Sequence, residues 1–172
     1  MSNKIPLFVR GQNGKSCEGC TKCCEGYLTT NIDGQEVYAG HPCKFVEQGV
    51  GCKIYKDRPA DPCKNFLCFW RASEIMPMEF KPSEVGVIVT NQEWNGIPYL
   101  MMVEAGNQIP AEVLSWYVTW AVSNQLNVEW QVGDKIYNMG SAEFQMAMAD
   151  RARVAEQQRI AGELKKSIVV EN

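Results

Sequence analysis

The chain has a single histidine, His41, and no cysteine after Cys68, although eight cysteines precede that point. One histidine beside Pro42 is a weak basis for a Ser-His-Asp triad or a histidine-rich metal site, so we expect His41 to be exposed and assign no catalytic residue. No run of about 18 apolar residues is present, and residues 1–10 lack the apolar core of a signal peptide. We therefore expect a cytoplasmic protein without a membrane partner.

Positive charge is also scarce, because the net charge is -3 and the pI is about 5.3. A nucleic-acid surface built on bulk positive charge is therefore not expected. The chain contains neither a Walker-type phosphate loop nor a dinucleotide fingerprint. With 172 residues, of which 45% are hydrophobic, it can bury a core of its own. This argues against a secreted disulfide framework, which is the other common use of many cysteines.

The cysteines have the spacing of metal ligands. The first four are written Cys17-x-x-Cys20-x-x-Cys23-Cys24, and Cys43, Cys52, Cys63 and Cys68 follow. Thiolates two residues apart on a tight turn can bind one ion, whereas the adjacent Cys23 and Cys24 project in different directions. The pair therefore predicts two centres, or one centre and a spare thiol.

Two standard cysteine templates fit only in part. The opening resembles a bacterial ferredoxin loop, but no Cys-Pro follows three residues after Cys20-x-x-Cys23. A zinc ribbon needs a second pair of cysteines two residues apart, and the later cysteines have wider spacing.

A longer match covers residues 17–70. The stretches that carry it are Cys17–Cys24, Pro42-Cys43-Lys44-Phe45-Val46, Cys52-Lys53-Ile54-Tyr55-Lys56-Asp57-Arg58-Pro59 and Cys63-Lys64-Asn65-Phe66-Leu67-Cys68. They resemble the YkgJ-type cysteine-cluster family, which is named for its CxxCxxCC signature and described as zinc- or iron-chelating. The chain departs from the pattern at Ala60-Asp61-Pro62, where the family usually has two residues, and at Lys64, where it usually has arginine.

The resemblance implies a metal-binding protein whose ligands are the eight cysteines and whose cofactor is zinc or an iron–sulfur cluster. Some members are described as flagellin lysine N-methylases or as iron–sulfur oxidoreductases, which implies a cluster-dependent enzyme as an alternative. A further alternative is a metal-stapled interaction module whose C-terminal helix binds a protein partner. The choice between zinc and iron stays open, because four thiolates leave a dianionic centre with either.

Cations interleaved with the cysteines would offset that negative charge. They are Lys15, Lys22, Lys44, Lys53, Lys56, Arg58 and Lys64. We expect most of these lysines to be solvated. Arg58 is the exception, because a planar guanidinium can pair with Asp57 or Asp61 or donate to sulfur.

The expected fold class is α+β, with a loop-rich, metal-stabilised cysteine region at 1–70 and a remainder at 71–172. The first region is rich in glycine and proline and has no long periodic segment, and a brief hairpin or turn is expected around Asp33-Gly34. The second predicts a small antiparallel sheet with two helices. Its predicted strands lie at 84–90, 97–104, 127–132 and 135–138. One helix is predicted to begin at Pro110, and a last helix runs from Ser141 to about 166. One face of the last helix is expected to carry Ala147, Val154, Ala161 and Ile168.

Overall fold

A computed structural model describes residues 14–170 of the protein, with side chains described as far as residue 161. Residues 1–13 of the predicted cysteine region, and Ile168 of the predicted helical stripe, lie outside the described side chains.

The cysteine region is built from short elements. Strands β1 (Thr30–Ile32) and β2 (Gln35–Val37) form a hairpin, and β3 (Val46–Glu47) pairs with β4 (Gly51–Cys52). The first hairpin turns at Asp33-Gly34 as predicted, with both residues at positive φ. Single helical turns occupy Cys23–Tyr27 and Ala60–Lys64. The small buried cluster here consists of Ile32, Val37 and Cys43, so apolar burial alone gives the region little stability.

The remainder contains one four-stranded sheet and four helices, which confirms the α+β class. Its elements are α1 (Phe69–Ala72), a 3-10 turn (Met78–Phe80), α2 (Pro82–Val85), β5 (Val87–Trp94), β6 (Ile97–Glu104), α3 (Ala111–Ser123), β7 (Val128–Val132), β8 (Lys135–Met139) and α4 (Ala142–Val170). The strand order is β5-β6-β7-β8. Strands β6 and β7 run parallel and the other neighbours antiparallel, because α3 carries the chain back between them.

Different helices pack on the two faces of this sheet. On one face, α3 packs Val113, Tyr117 and Ala121 into the main core, which also contains Leu100 and Val128. Side chains alternate along a strand, so the neighbouring residues belong to the opposite face. There the first turns of α4 pack Phe144 and Met148 against Tyr99.

Helix α4 begins where the sequence predicts. The backbone N–H of Phe144 donates to Ser141 Oγ at 3.1 Å, which identifies Ser141 as the N-cap. The predicted stripe is half-buried at Ala147 and Val154 but exposed at Ala161. Within the described part of the chain, no helix is both long enough and apolar enough to span a bilayer.

Candidate metal centre

The eight cysteines separate into two sets of four. In the first set, Cys23 packs against the main core next to the buried Cys68. The thiols that act on the pKa of Cys23 are those of Cys68, Cys20, Cys24 and Cys17, in that order of effect. The turn from Cys17 to Cys20 is closed by a backbone hydrogen bond of 2.9 Å from Cys20 N–H to Cys17 O. The first set is therefore Cys17, Cys20, Cys23 and Cys68.

The second set surrounds the small cluster of the cysteine region. Cys24 and Cys63 pack against Cys43, whose N–H donates to Cys24 O at 2.8 Å. The neighbouring thiols that raise the pKa of Cys24 most are those of Cys43, Cys52 and Cys63. The neighbouring thiols that raise the pKa of Cys63 are again those of Cys43 and Cys52. Strand β4 supplies Cys52, and the helical turn after Pro59 supplies Cys63.

The adjacent pair Cys23-Cys24 divides the two sets, which corresponds to one of the two alternatives that the sequence left open. Both residues lie in the helical turn that Thr21 begins, where the N–H groups of Cys24 and Glu25 donate to Thr21 O at 2.8 and 2.9 Å. Successive side chains on a helical turn point about 100° apart, so neighbours face different surroundings. Cys23 faces the main core, whereas Cys24 faces the first hairpin.

All eight cysteines are free, and all of them line one cavity of about 960 Å³, which we call the thiol cavity. In residues 14–161, no three His, Cys, Asp or Glu side chains form a group that could hold a metal ion. The thiols therefore surround a common space without converging on a single point. The donor set itself, eight sulfurs without a disulfide, has the chemistry that zinc and iron–sulfur clusters require.

Burial raises the pKa of five of the thiols and so favours their protonated form: Cys17, Cys23, Cys24, Cys63 and Cys68. It raises the pKa of Cys24 and of Cys68 to about 12, and that of Cys23 well above its ordinary value. Neighbouring thiols act in the same direction, because a second thiolate nearby repels the first. A ligating thiolate must lose its proton, so a bound metal cation would have to offset the remaining cost of burying the thiolate charge.

Arg58 donates hydrogen bonds to backbone carbonyl oxygens beside the second set and does not pair with an aspartate. Its Nε donates to Cys63 O at 3.2 Å, one terminal nitrogen donates to Tyr55 O at 2.6 Å, and the guanidinium stacks 3.9 Å from the centre of the Tyr55 ring. The described residues contain no ion pair between Arg58 and Asp57 or Asp61, so that expectation was wrong. The positive charge of Arg58 lowers the pKa of Cys17 and Cys63, against the larger effect of burial.

Three cations lie around the first set, and two of them, Arg71 and Lys81, were not predicted from the sequence. Lys15 is 5% exposed and donates to Ser73 O at 2.6 Å and to Met76 O at 2.7 Å. The charge of Cys68 raises the pKa of Lys15, and the charges of Arg71 and Lys81 lower the pKa of Cys17. Arg71 and Lys81 follow the last cysteine in sequence, and only the packing of the chain brings them to the thiols.

Of the other predicted candidates, Lys53 and Lys56 line the thiol cavity, whereas His41, Lys44 and Lys64 do not. His41 is exposed, stacks with Tyr38 at a ring distance of 4.3 Å, and does not line the thiol cavity. Lys44, Lys53, Lys56 and Lys64 are exposed, as expected for solvated lysines.

The thiol cavity also reaches the four-stranded sheet. Five sheet residues line it and none of them carries a charge: Thr90, Gln92, Met101, Val103 and Gln131. They belong to the face that α4 covers only in part.

No protein-family model, curated protein or solved structure matches the chain at a significant level. The likeness to the YkgJ-type family therefore stays a prediction drawn from the cysteine spacing.

Proposed function

We propose that this protein binds metal through two four-thiolate centres, one formed by Cys17, Cys20, Cys23 and Cys68 and the other by Cys24, Cys43, Cys52 and Cys63. The observation that carries the proposal is the division of eight free thiols into two sets at one cavity. Four thiolates complete the coordination of a structural zinc ion or of a cubane iron–sulfur cluster.

An iron–sulfur cluster is the first candidate for each centre. A single zinc ion needs four sulfurs at about 2.3 Å from one point. A cluster binds each cysteine to a different iron atom and so tolerates more widely separated sulfurs. Among residues 14–161 no three ligands form the convergent group that a single zinc ion requires. When bound, such a cluster would supply one-electron transfer, and zinc would supply a structural cross-link.

The surroundings suit an anionic centre. The first set lies near three positive charges, those of Lys15, Arg71 and Lys81. Arg58 lowers the pKa of one thiol in each set, Cys17 and Cys63. The N–H groups of Trp70 and Arg71 also donate hydrogen bonds to the Cys68 thiol. Cationic groups and N–H donors near sulfur stabilise thiolate ligation.

The test is anaerobic purification followed by elemental analysis and an absorption spectrum. We expect stoichiometric iron and a broad visible absorption band, with stoichiometric zinc and no colour as the second candidate result. Protein that lacks both metals and whose cysteines are joined in disulfides by mass spectrometry would contradict metal binding.

The division into two centres has its own test in the adjacent cysteines. Cys23→Ser should remove the metal of the first centre and Cys24→Ser that of the second, so each variant should retain about half of the wild-type metal. His41→Ala is the control and should retain all of it, because His41 lies away from the cavity. Complete metal loss in both cysteine variants, or full retention of metal in both, would contradict two separable centres.

A further inference from the structure

A second cavity, of about 280 Å³, lies where the parallel strands β6 and β7 stop pairing. The two strands pair only as far as Met102 and Trp130, although β6 continues to Glu104 and β7 to Val132. Ligands commonly bind in the crevice outside the carboxyl ends of parallel strands. The residues that line this cavity, which we call the carboxylate cavity, are Met101, Met102, Val103, Glu104, Glu129, Trp130, Gln131 and Ile136.

The carboxylate cavity contains a negative charge without a counter-charge. Among residues 14–161, the half-buried Glu104 forms no ion pair, and its Oε1 is buried without a hydrogen-bond donor. The other charged lining residue, Glu129, is already paired with Arg151, and no cationic side chain of the described chain lines the cavity. A partly desolvated carboxylate that lacks a partner is unfavourable, so a cation bound here would be stabilised.

The walls of the cavity favour an organic cation over a metal ion. A calcium ion takes about six to eight oxygen ligands, whereas this cavity offers one unpaired carboxylate among mainly apolar side chains. One of the apolar residues is Trp130, whose ring stacks on that of Tyr137 with 5.6 Å between the ring centres. The face of an indole ring attracts a cation, and an apolar wall suits an alkyl chain.

We propose that the carboxylate cavity binds a small organic amine in its ammonium form. The ammonium group donates hydrogen bonds to the carboxylate of Glu104, and the alkyl chain of the amine contacts the apolar walls. Met101, Val103 and Gln131 line the thiol cavity as well, so the amine would lie beside the proposed metal centres. This site goes beyond metal binding and does not depend on which metal the cysteines hold.

Calorimetric titration of the anaerobically purified protein tests the site with three probes of equal chain length. Hexylammonium carries the positive charge and the donors, hexanol is neutral, and hexanoate is negative. We expect hexylammonium to bind at one site per chain and at least about tenfold more tightly than hexanol, since a hydrogen bond between two charged groups is stronger than one to a neutral group. Hexanoate should not bind, because Glu104 repels it.

Two substitutions that each remove one negative charge separate Glu104 from a general charge effect. Glu104→Gln should weaken hexylammonium binding at least about tenfold and leave hexanol binding unchanged. Glu93→Gln is the matched control and should bind as wild type does, because Glu93 is exposed and lines neither cavity.

Thermal unfolding gives a second readout that does not depend on calorimetry. Hexylammonium should raise the Tm of the wild type and of Glu93→Gln but not that of Glu104→Gln. Without the amine, Glu104→Gln should be at least as stable as the wild type, because it removes an unpaired carboxylate.

Failure of hexylammonium to bind, equal binding of hexanol, or full binding by Glu104→Gln would each overturn the amine site. A Glu104→Gln variant that is less stable than the wild type would show that the carboxylate has a partner in the fold, and would overturn it as well. Metal content is measured in the same samples. A protein that fails these tests but retains its metal would leave the proposed function intact.

Discussion

At the scale of the residue, the thiol sets depend on side chains and backbone angles that no metal motif includes. Lys15 is the clearest case, because a lysine with a flexible stem is ordinarily solvated, yet here its ammonium group is buried on two carbonyl oxygens. Burial lowers its pKa, while the nearby Cys68 acts in the opposite direction. Gly26 is the second case, since the turn that carries Cys23 and Cys24 passes directly against the backbone of Tyr38.

Gly26→Ala tests this close approach. Gly26 has a φ of 93°, and a Cβ there would overlap the carbonyl oxygen of Tyr38. Because neither the backbone angle nor the contact tolerates a side chain, we expect a loss of at least about 2 kcal/mol in unfolding free energy. Metal of the second centre should be lost as well, which denaturant unfolding and elemental analysis would detect.

Gly34→Ala is the matched control for that substitution. Gly34 also has a positive φ, of 77°, but nothing lies within 4 Å of an added Cβ. Backbone strain alone should cost about 1 kcal/mol and leave both centres loaded. Equal effects of the two substitutions would remove the contact with Tyr38 from the explanation.

At the scale of the element, α4 is attached to the sheet by one buried ion pair. Arg151 pairs with Glu129 of β7 and donates to the Tyr99 hydroxyl at 2.9 Å. Glu129 is 6% exposed, so its carboxylate depends on Arg151 for compensation. This contact between α4 and the sheet also positions Tyr99 and Phe144. Their rings lie 5.4 Å apart, on the face of the sheet that continues into the thiol cavity.

Arg151→Met should therefore destabilise the protein by about 3 kcal/mol, because it leaves a buried carboxylate unpaired. Arg153→Met is the control on the same helix, since Arg153 forms an exposed pair with Asp150 at 2.5 Å. That change should cost less than about 0.5 kcal/mol. Urea unfolding of both variants gives the comparison, and similar losses would mean that the buried pair contributes no more than the exposed one.

At the scale of the whole molecule, two regions differ in what stabilises them. The sheet and α3 share a large apolar core, whereas residues 14–68 bury only a small cluster apart from the thiols they contribute. A structural metal contributes its binding free energy directly to folding when its ligands come from separate loops. We therefore expect the cysteine region to depend on the proposed metal more than the sheet does.

Chelation should expose this difference. On anaerobic removal of the metal, we expect amide hydrogen exchange to rise across residues 20–64 while β5 and β6 stay protected. Exchange measured by mass spectrometry before and after chelation resolves the two regions. Uniform loss of protection along the chain would indicate a single cooperative unit, and unchanged protection would mean that the cysteine region folds without metal.

Much of the α+β remainder was predictable because local signals agree with the final packing. Asn95-Gly96 and Ser141 set the ends of their elements. The strand predicted at 84–90 was wrong at both ends, because Pro82–Val85 form α2 and β5 is Val87–Trp94. The parallel pairing of β6 with β7 was not predicted, since strand direction depends on where α3 packs and not on the residues of either strand.

By itself the sequence determined which thiols are available as donors, that Cys23 and Cys24 point in different directions, and most of the elements of the sheet, because spacing and periodicity act between near neighbours. Only the tertiary structure decided which later cysteine joins which set, which cations reach the thiols, and that the cavity extends to Thr90. These features join residues far apart in the chain. Their proximity follows from the packing of the loops against the sheet, which no local pattern encodes.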